Sequence, residues 1–529
     1  MMFDKIYQFS SPLSGKHWWW NLALFIMAIG LPLSWSRYGK MLREARVGRT
    51  ISFVASVVIG VNVVAAFVYF ILPWYFDHVE TQVVITALNA HQGLPLYPDW
   101  SRGEGAYGLG YGPFLYAAVG APLFFSKSVI ASKFVTSTAF FFAMTAMWSQ
   151  GRRSLAPSAD LIAKFFLLAV IPFKLYAFWV RGDPLLLALA AASVMVIQIR
   201  SDILRWLALG VFAGLATAIK LHAALYFVPL AAFALVRVPC AKAIISCAAL
   251  GVIAFVSALI IAFAADPHQA VSFGKYIAVM TRIGISRDRI LVNVLVALAL
   301  TAPYGIALLQ ERLHDWRTIL TAGTMALSVA LVILIGATPG AGPHHLMPLL
   351  PALLFFTLTA RGSKVAANNP SPILAVAMIA TAVGALSVTI GFLKSSAMGA
   401  GDITAGYREA ADMAVLYPGA QFGPTDRLRY GMLQYRVGAA LRGAKLTFDM
   451  AAWLDLAAAG VHPSDDPADF SPGPLIWILP REGAPFSLNS PYTGASIFPA
   501  AFQADFQSRY QQIDVRKFFA VWRCKSGTP

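Results

Sequence analysis

The chain has 529 residues, of which 58% are apolar and only 12% charged, about half the charged fraction of an ordinary globular domain; its mean hydropathy is +0.65. A net charge of +16 in a soluble protein would suggest nucleic acid. Here the lysines and arginines fall in short loops between apolar runs, so the charge reads as cytoplasmic bias and attraction to anionic headgroups, which excludes a nucleic-acid binder and leaves a polytopic membrane protein.

The N-terminus carries no evident cleavable signal: polar residues and Pro12 precede "HWWW", an aromatic belt of the kind found at a membrane surface. Apolar runs follow at about 18–36, 50–76, 111–126, 129–148, 161–180, 184–199, 203–219, 221–236, 242–264, 290–309, 317–336, 345–360 and 371–393. Most are long enough to cross a bilayer core, which takes roughly 20 helical residues. The expected fold is a polytopic α-helical membrane protein of about 11–13 membrane helices. Basic stretches such as "SRYGKMLREARVGR" (36–49), "GRR" (151–153), "ERLHDWR" (311–317) and "RGSK" (361–364) belong in the cytoplasm. The opposite face then receives 77–110, "RGD" (181–183), 265–289, "ATPGAGPHH" (337–345) and everything after 394. Residue 110 is outside and residue 150 inside, so the two apolar pieces of 111–148 must cross an odd number of times, and one of them must be short or re-entrant.

Past residue 394 charge, Pro and Gly return. "GYREAADMAVLY" and "RLRYGMLQYRVGAALRG" predict amphipathic helices, and "AKLTFDM", "PLIWILP" and "FFAVWRC" predict short strands. The expected organisation is an N-terminal interfacial or transmembrane segment with a basic loop (1–49), a membrane domain (50–393) whose first external loop is 77–110, and an external α/β domain (394–529). Cys240, Cys247 and Cys524 have neither metal nor disulfide spacing.

Candidate chemistry gathers on the external face. Asp77 and Glu80 are three residues apart, on one face of a helix; such a pair caps a helix, serves as a general base or holds a divalent cation. His78 points elsewhere on that helix and reads as an interfacial histidine. "GLPLYPDWSRGEGAYGLGYGPFLYAA" (93–118) is a Tyr-rich loop lying on the membrane. Arg181 and Asp183 sit between two helices, as an ion pair or as a cleft wall. Lys220, with His222 nearby, lies in apolar sequence, where an unpaired cation costs several kcal/mol. His344 and His345 stand at the mouth of a span loosened by Pro348 and Pro351. Arg282, Arg287 and Arg289 are further anion-binding candidates. No Gly-rich nucleotide loop is apparent.

The order of these features resembles the GT-C superfamily of integral-membrane glycosyltransferases, in its aminoarabinose-transferase-like and protein-mannosyltransferase-like branch. The motifs are an acidic residue in the first external loop (Asp77), "GLPLY" (93–97), "YGPFLY" (111–116), "RGD" (181–183), "GLATAIK" (214–220) and "HHLMPLLPALL" (344–354), across roughly 50–393. The resemblance implies transfer of a sugar, with inversion, from a polyprenyl-phosphate donor to a glycan, lipid or protein acceptor on the periplasmic side of a bacterial inner membrane. It implies Asp77 as general base and Glu80 as its support or as a metal ligand. It puts Lys220, His344, His345 and Arg282 at the donor phosphate, and Tyr97, Tyr111, Tyr116, Arg181 and Asp183 along the cleft. Two departures stand out: His78 and Val79 separate the acidic pair that is adjacent in the family, and His344-His345 replaces an Arg-Tyr pair. A divalent metal stays open, as do three other readings: a flippase or transporter for lipid-linked sugars, a glycan ligase relying on an external Arg/His pair, and a non-catalytic scaffold.

Overall fold

The computed structural model describes residues 45–100, 105–108, 110–153, 157–171, 177–238, 241–264, 267–311, 315–360, 372–426, 434–461, 476–490 and 494–525. The expected 18–36 segment and the "RGSK" loop lie outside the described residues.

The first described helix, α1 (Ala45–Ile71), is apolar throughout. It stops where Pro73, which lacks a backbone donor and disfavours helix at the residue before it, enters the chain. Helix α2 (His78–His91) buries nearly all of its residues, including Thr81, Gln82, Thr86 and Asn89. With so many polar groups it packs within the protein rather than against lipid. Helix α3 (Pro113–Phe125) follows Gly112, and α4 (Val129–Arg153) ends on Arg152 and Arg153. At about 1.5 Å per residue, α3 reaches only about two thirds of the way through a hydrocarbon core about 30 Å thick, whereas α4 is long enough to span. One of the two apolar pieces of 111–148 is thus short, as expected.

Next come α5 (Pro157–Val170), α6 (Gly182–Val196) and α7 (Asp202–Thr217), then a 3-10 turn (Leu221–Tyr226) leading into α8 (Val228–Leu235). They are followed by α9 (Ala241–Phe263), α10 (Pro267–Met280), α11 (Arg287–Glu311) and α12 (Trp316–Ile335). A second 3-10 segment (Pro343–Leu349) opens α13 (Leu350–Ala360). Among the described residues six helices are long and apolar enough to cross a membrane: 48–71, 129–153, 243–263, 287–309, 316–335 and 374–396. The runs expected to span at 161–180, 184–199, 203–219, 221–236 and 345–360 form shorter helices, two of them opened by 3-10 turns where the chain carries His222 and the His344–Pro348 stretch. Phe53, Ile245, Ile261 and Leu309 are exposed on the long helices, as lipid-facing side chains would be. Helices α7 and α9 are held closest: a Cβ on Gly210 would come within 2.2 Å of the Gly251 carbonyl oxygen, and one on Gly214 within 2.5 Å of that of Phe255. This is a small-xxx-small seam of the membrane type.

Helix α14 (Pro372–Leu416) runs unbroken for 45 residues, straight through the boundary expected at 394, and carries "GYREAADMAVLY" at its far end. Beyond it, among the described residues, lies a four-stranded sheet of order β1-β2-β4-β3, formed by β1 (Gln421–Phe422), β2 (Ile476–Pro480), β3 (Tyr510–Val515) and β4 (Phe519–Cys524). Strand β2 is parallel to β1 and antiparallel to β4, with Trp477 opposite Trp522. Helices α15 (Val437–Leu441), α16 (Met450–Ala458) and α17 (Ala500–Arg509) complete the region. Its core is aromatic, built on Trp477, Phe486, Phe498, Phe502 and Phe506, all fully buried. "PLIWILP" and "FFAVWRC" are strands as expected. "AKLTFDM" is not: it makes one isolated bridge, Phe448 with Ala106. Its backbone bonds both to the Gln421 side chain, whose Nε2 donates to Lys445 O (2.8 Å) and whose Oε1 accepts from Thr447 N (2.9 Å), and to the stretch after Asp77, where Asp449 N donates to Ala106 O (2.8 Å) and Asn89 Nδ2 to Leu446 O (2.8 Å). The C-terminal region is thereby sewn over the loop that begins at Asp77.

Candidate active site

Asp77 is the N-cap of α2. Its side chain accepts from Val79 N, while the Glu80 carboxylate returns to the Asp77 N–H, a reciprocal capping box. Glu80 does more than cap. Its Oε1 accepts from Phe76 N (2.9 Å) and Asp77 N (3.1 Å), and its Oε2 accepts from Val180 N (3.1 Å) and from the Tyr69 hydroxyl. The side chain is fully buried. Lys133 on α4, also fully buried, donates from Nζ to the carbonyls of Tyr69 (2.8 Å), Leu72 (2.8 Å) and Trp74 (2.6 Å), satisfying the open end of α1. Glu80 and Lys133 together fix the turn that presents Asp77.

Asp77 faces an array of alternating charge. Its Oδ1 is 2.8 Å from His78 Nδ1, and its Oδ2 accepts from Arg181 Nη1 at 2.8 Å. Arg181 Nε lies 3.5 Å from Asp183 Oδ2, and Lys220 Nζ donates to Asp183 Oδ1 at 2.7 Å. Arg181, Asp183 and Lys220 are all buried, so each charge depends on its neighbours, as charges withdrawn from water must. Helix ends set the placement. Arg181 caps α6 and Asp183 sits in its first turn, where the helix dipole favours a negative group. Lys220 occupies the break between α7 and the 3-10 turn. Gly182 allows this close meeting, since a Cβ there would be 2.7 Å from Ile219 Cγ2, and Gly112 brings the start of α3 against the same stretch: its N–H donates to Ile219 O (2.8 Å), and a Cβ there would be 2.2 Å from Ala218 O.

The histidines join from the second 3-10 segment. His344 lies near enough to Asp183 to act on its charge. The His344 and His345 rings are 4.5 Å apart, His345 Nδ1 is 3.0 Å from His222 Nε2, and that nitrogen is 3.2 Å from the Tyr226 hydroxyl. The tyrosines line the adjoining wall. Tyr97 donates to Tyr111 O (2.6 Å), its ring stands 6.1 Å from that of Tyr116, and Lys220 Nζ sits 5.4 Å from the Tyr111 ring centre.

The fold thus gathers Asp77, Arg181, Asp183, Lys220, His344, His345, Tyr97, Tyr111 and Tyr116. Arg282 is exposed on a turn of its own (Thr281–Ile283) and pairs with none of them. Arg289 donates to the carbonyls of Thr338 (3.3 Å) and Ala341, ordering the turn that leads to His344. Lys133, Tyr226 and the His78–Asp77 contact escape the sequence analysis. The reasoning that singles out Lys220, a cation within an apolar run, applies equally to Lys133.

Asp77 and Glu80 do not fit a divalent cation. Both Glu80 oxygens are committed to protein donors and both Asp77 oxygens to cationic groups or the cap. Among the described residues no group of three or more His, Cys, Asp or Glu side chains converges as ligands.

No protein-family model matches the chain, and no curated protein does. Solved structures do. ArnT from Cupriavidus metallidurans in the apo state aligns with a TM-score of 0.53 at 12% identity, covering 90% of this chain and 98% of that one. The same protein bound to undecaprenyl phosphate aligns at 14% identity with the same TM-score and coverage. At such identities the likeness speaks for architecture. This chain has the architecture of the ArnT structures, a set of helices of membrane-spanning length followed by a C-terminal α/β region.

Proposed function

We propose that this protein transfers a sugar from a polyprenyl-phosphate donor to an acceptor at the external face of a bacterial inner membrane. The observation that carries the reading is the buried array Asp77–Arg181–Asp183–Lys220, set at helix starts beside a wall of tyrosines. A structure of the same fold holds undecaprenyl phosphate, which supports a lipid phosphate as the group that these cations meet.

The array supplies both halves of an inverting displacement. The acceptor oxygen attacks the anomeric carbon, and the bond from that carbon to the phosphate oxygen breaks on the opposite side. The phosphate departs with the electron pair toward Lys220, Arg181 and the His344–His345 pair, where fixed positive charge stabilises it. The acceptor proton goes to the Asp77–His78 pair. Glu80 acts by position, holding the turn, and Tyr97, Tyr111 and Tyr116 line the cleft. The acceptor is a hydroxyl of a glycan, a lipid or a protein.

The test is consumption of undecaprenyl-phosphate-linked sugars by the protein in liposomes. Asp77→Asn is expected to lose about 100-fold or more of turnover while eluting and melting as a folded protein. Turnover by Asp77→Asn equal to wild type removes the carboxylate from the mechanism, and no consumption of any donor by the wild type leaves a ligase or flippase built on the cations.

A further inference from the structure

A pair of histidines joins the two 3-10 segments at the site. His222 stands in the turn Leu221–Tyr226, two residues after Lys220, and His345 stands in the segment Pro343–Leu349. That second segment packs on α6, whose first turn holds Asp183. Nδ1 of His345 is 3.0 Å from Nε2 of His222, with the ring centres 4.9 Å apart. The Tyr226 hydroxyl lies 3.2 Å from the same His222 nitrogen.

Both rings are neutral. Burial, with Lys220, His344, His222 and Arg181 adding to it, holds His345 well below the ordinary imidazole range. Burial and Lys220, opposed by Asp183, push His222 down to about 3. A bond between two neutral imidazole nitrogens holds one proton, and two arrangements satisfy it. With the proton on Nδ1 of His345, the second nitrogen of that ring, Nε2, is a lone pair and repels an anion. With the proton on Nε2 of His222, Nδ1 of His345 accepts, and Nε2 of His345 becomes an N–H donor. The Tyr226 hydroxyl donates to the His222 nitrogen in the first arrangement and accepts from it in the second, so it tolerates both. Among the described residues nothing bonds to Nε2 of His345, and the atom is not sealed inside the protein. The charges of Lys220 and Arg181 reach this ring, and they are cations that draw a phosphate.

We infer that His222 is a positioning residue for the donor phosphate: it gives its Nε2 proton to the bond with Nδ1 of His345, which makes Nε2 of His345 a hydrogen-bond donor to the phosphate. The inference deepens the proposed glycosyl transfer and rests on its placement of His345 at that phosphate. The bond serves the bound donor and the departing phosphate alike, so it governs affinity more than the chemical step. A phosphate that meets the lone pair instead loses one charge-assisted hydrogen bond, about tenfold or more in affinity.

The experiment measures undecaprenyl phosphate binding to the full-length protein in nanodiscs, beside turnover of undecaprenyl-phosphate-linked sugars. His222→Met keeps the bulk of the side chain without a donor. Its Kd for undecaprenyl phosphate and its KM for the sugar donor should both rise about tenfold, with kcat within about twofold of wild type. His222→Gln, whose amide N–H can still be given to Nδ1, should bind within about threefold of wild type. In His345→Ala, adding His222→Met should change nothing further, because His222 acts through His345. Nitrogen NMR of the wild type with undecaprenyl phosphate bound gives a reading that needs no His222 variant: the imidazole signals that vanish in His345→Ala should be those of the Nε2–H tautomer. Wild-type affinity in His222→Met, an equal loss in His222→Gln, a further loss on top of His345→Ala, or an Nδ1–H signal each overturns the inference and leaves glycosyl transfer standing. If the wild type neither binds undecaprenyl phosphate nor consumes any sugar donor, glycosyl transfer itself fails and the inference falls with it.

Discussion

Replacing Glu80 separates a structural role from a metal-binding one. In Glu80→Ala, the N–H groups of Phe76, Asp77 and Val180 and the hydroxyl of Tyr69 lose their acceptor at once. A buried donor left unmade costs about 1–3 kcal/mol, and loss of a cap about 1 kcal/mol. Val180 N and Tyr69 are fully enclosed, while the other two are only partly so. The sum is about 3–6 kcal/mol, before any cost to Lys133 of losing the nearby carboxylate. That is a large share of the roughly 5–15 kcal/mol by which folded proteins are stable. Glu80→Gln keeps one oxygen for Phe76 and Asp77 but turns an amide donor toward the Val180 N–H, so about 2 kcal/mol is expected. The assay is thermal melting of purified protein in nanodiscs, followed by intrinsic tryptophan fluorescence. Alanine should lower Tm by about 5 °C or more, or abolish folded yield, with glutamine between alanine and wild type. A ligand role predicts the reverse: unchanged melting in both variants and activity that depends on added metal. Wild-type melting of Glu80→Ala would refute the capping argument.

Three further outcomes follow from the geometry. Arg181→Lys replaces a fork that meets Asp77 and Asp183 together with a point charge that reaches only one of them, so donor consumption should fall at least about tenfold. Gly210→Leu forces α7 away from α9, because even its Cβ meets the Gly251 carbonyl oxygen at 2.2 Å; folded yield should drop sharply, whereas Gly60→Ala, with nothing within 4 Å, should not change it. Burial pushes Asp455 from 3.8 up to about 6, with Tyr276 and His78 pulling down against it and Asp449 adding to the rise. Between those values the folded state holds the proton more tightly than the unfolded chain, so this carboxyl's contribution to stability declines as pH rises from about 4 to about 6. Asp455→Asn removes that penalty. Its Tm should match wild type near pH 4 and exceed it above pH 6, by an amount equivalent to about 1–2 kcal/mol once partial exposure is allowed for.

Much of the site was legible because helix starts and misplaced charges are local signals. Asp77 with Glu80 three residues on is a capping-box spacing, and Lys220 is conspicuous as a cation in an apolar run. The readings that needed correction concern what those groups touch. Glu80 looked free to support a base or a metal, and it is spent on backbone donors at 76, 77 and 180. His78 looked interfacial because helical spacing turns it away from Glu80, yet an N-terminal residue need not follow the face of the helix it begins, and its Nδ1 turns back onto Asp77. "AKLTFDM" has strand composition, but its backbone bonds to the Gln421 side chain and to Asn89 and Ala106 of the stretch after Asp77 rather than to a neighbouring strand.

The sequence by itself determined the solvent: apolar runs of bilayer length and basic loops between them specify a membrane protein, since transfer of side chains into lipid is nearly additive along the chain. It also determined the points where those runs break, at prolines, glycines and charges. Only the tertiary structure decided which charges meet. Arg181 reaches Asp77 from 104 positions away, and Lys220 reaches Asp183 across a helix pair whose approach depends on Gly182. Inside the protein a charge is stable only beside its partner, and that pairing is fixed by how the helices pack, which no stretch of sequence encodes alone.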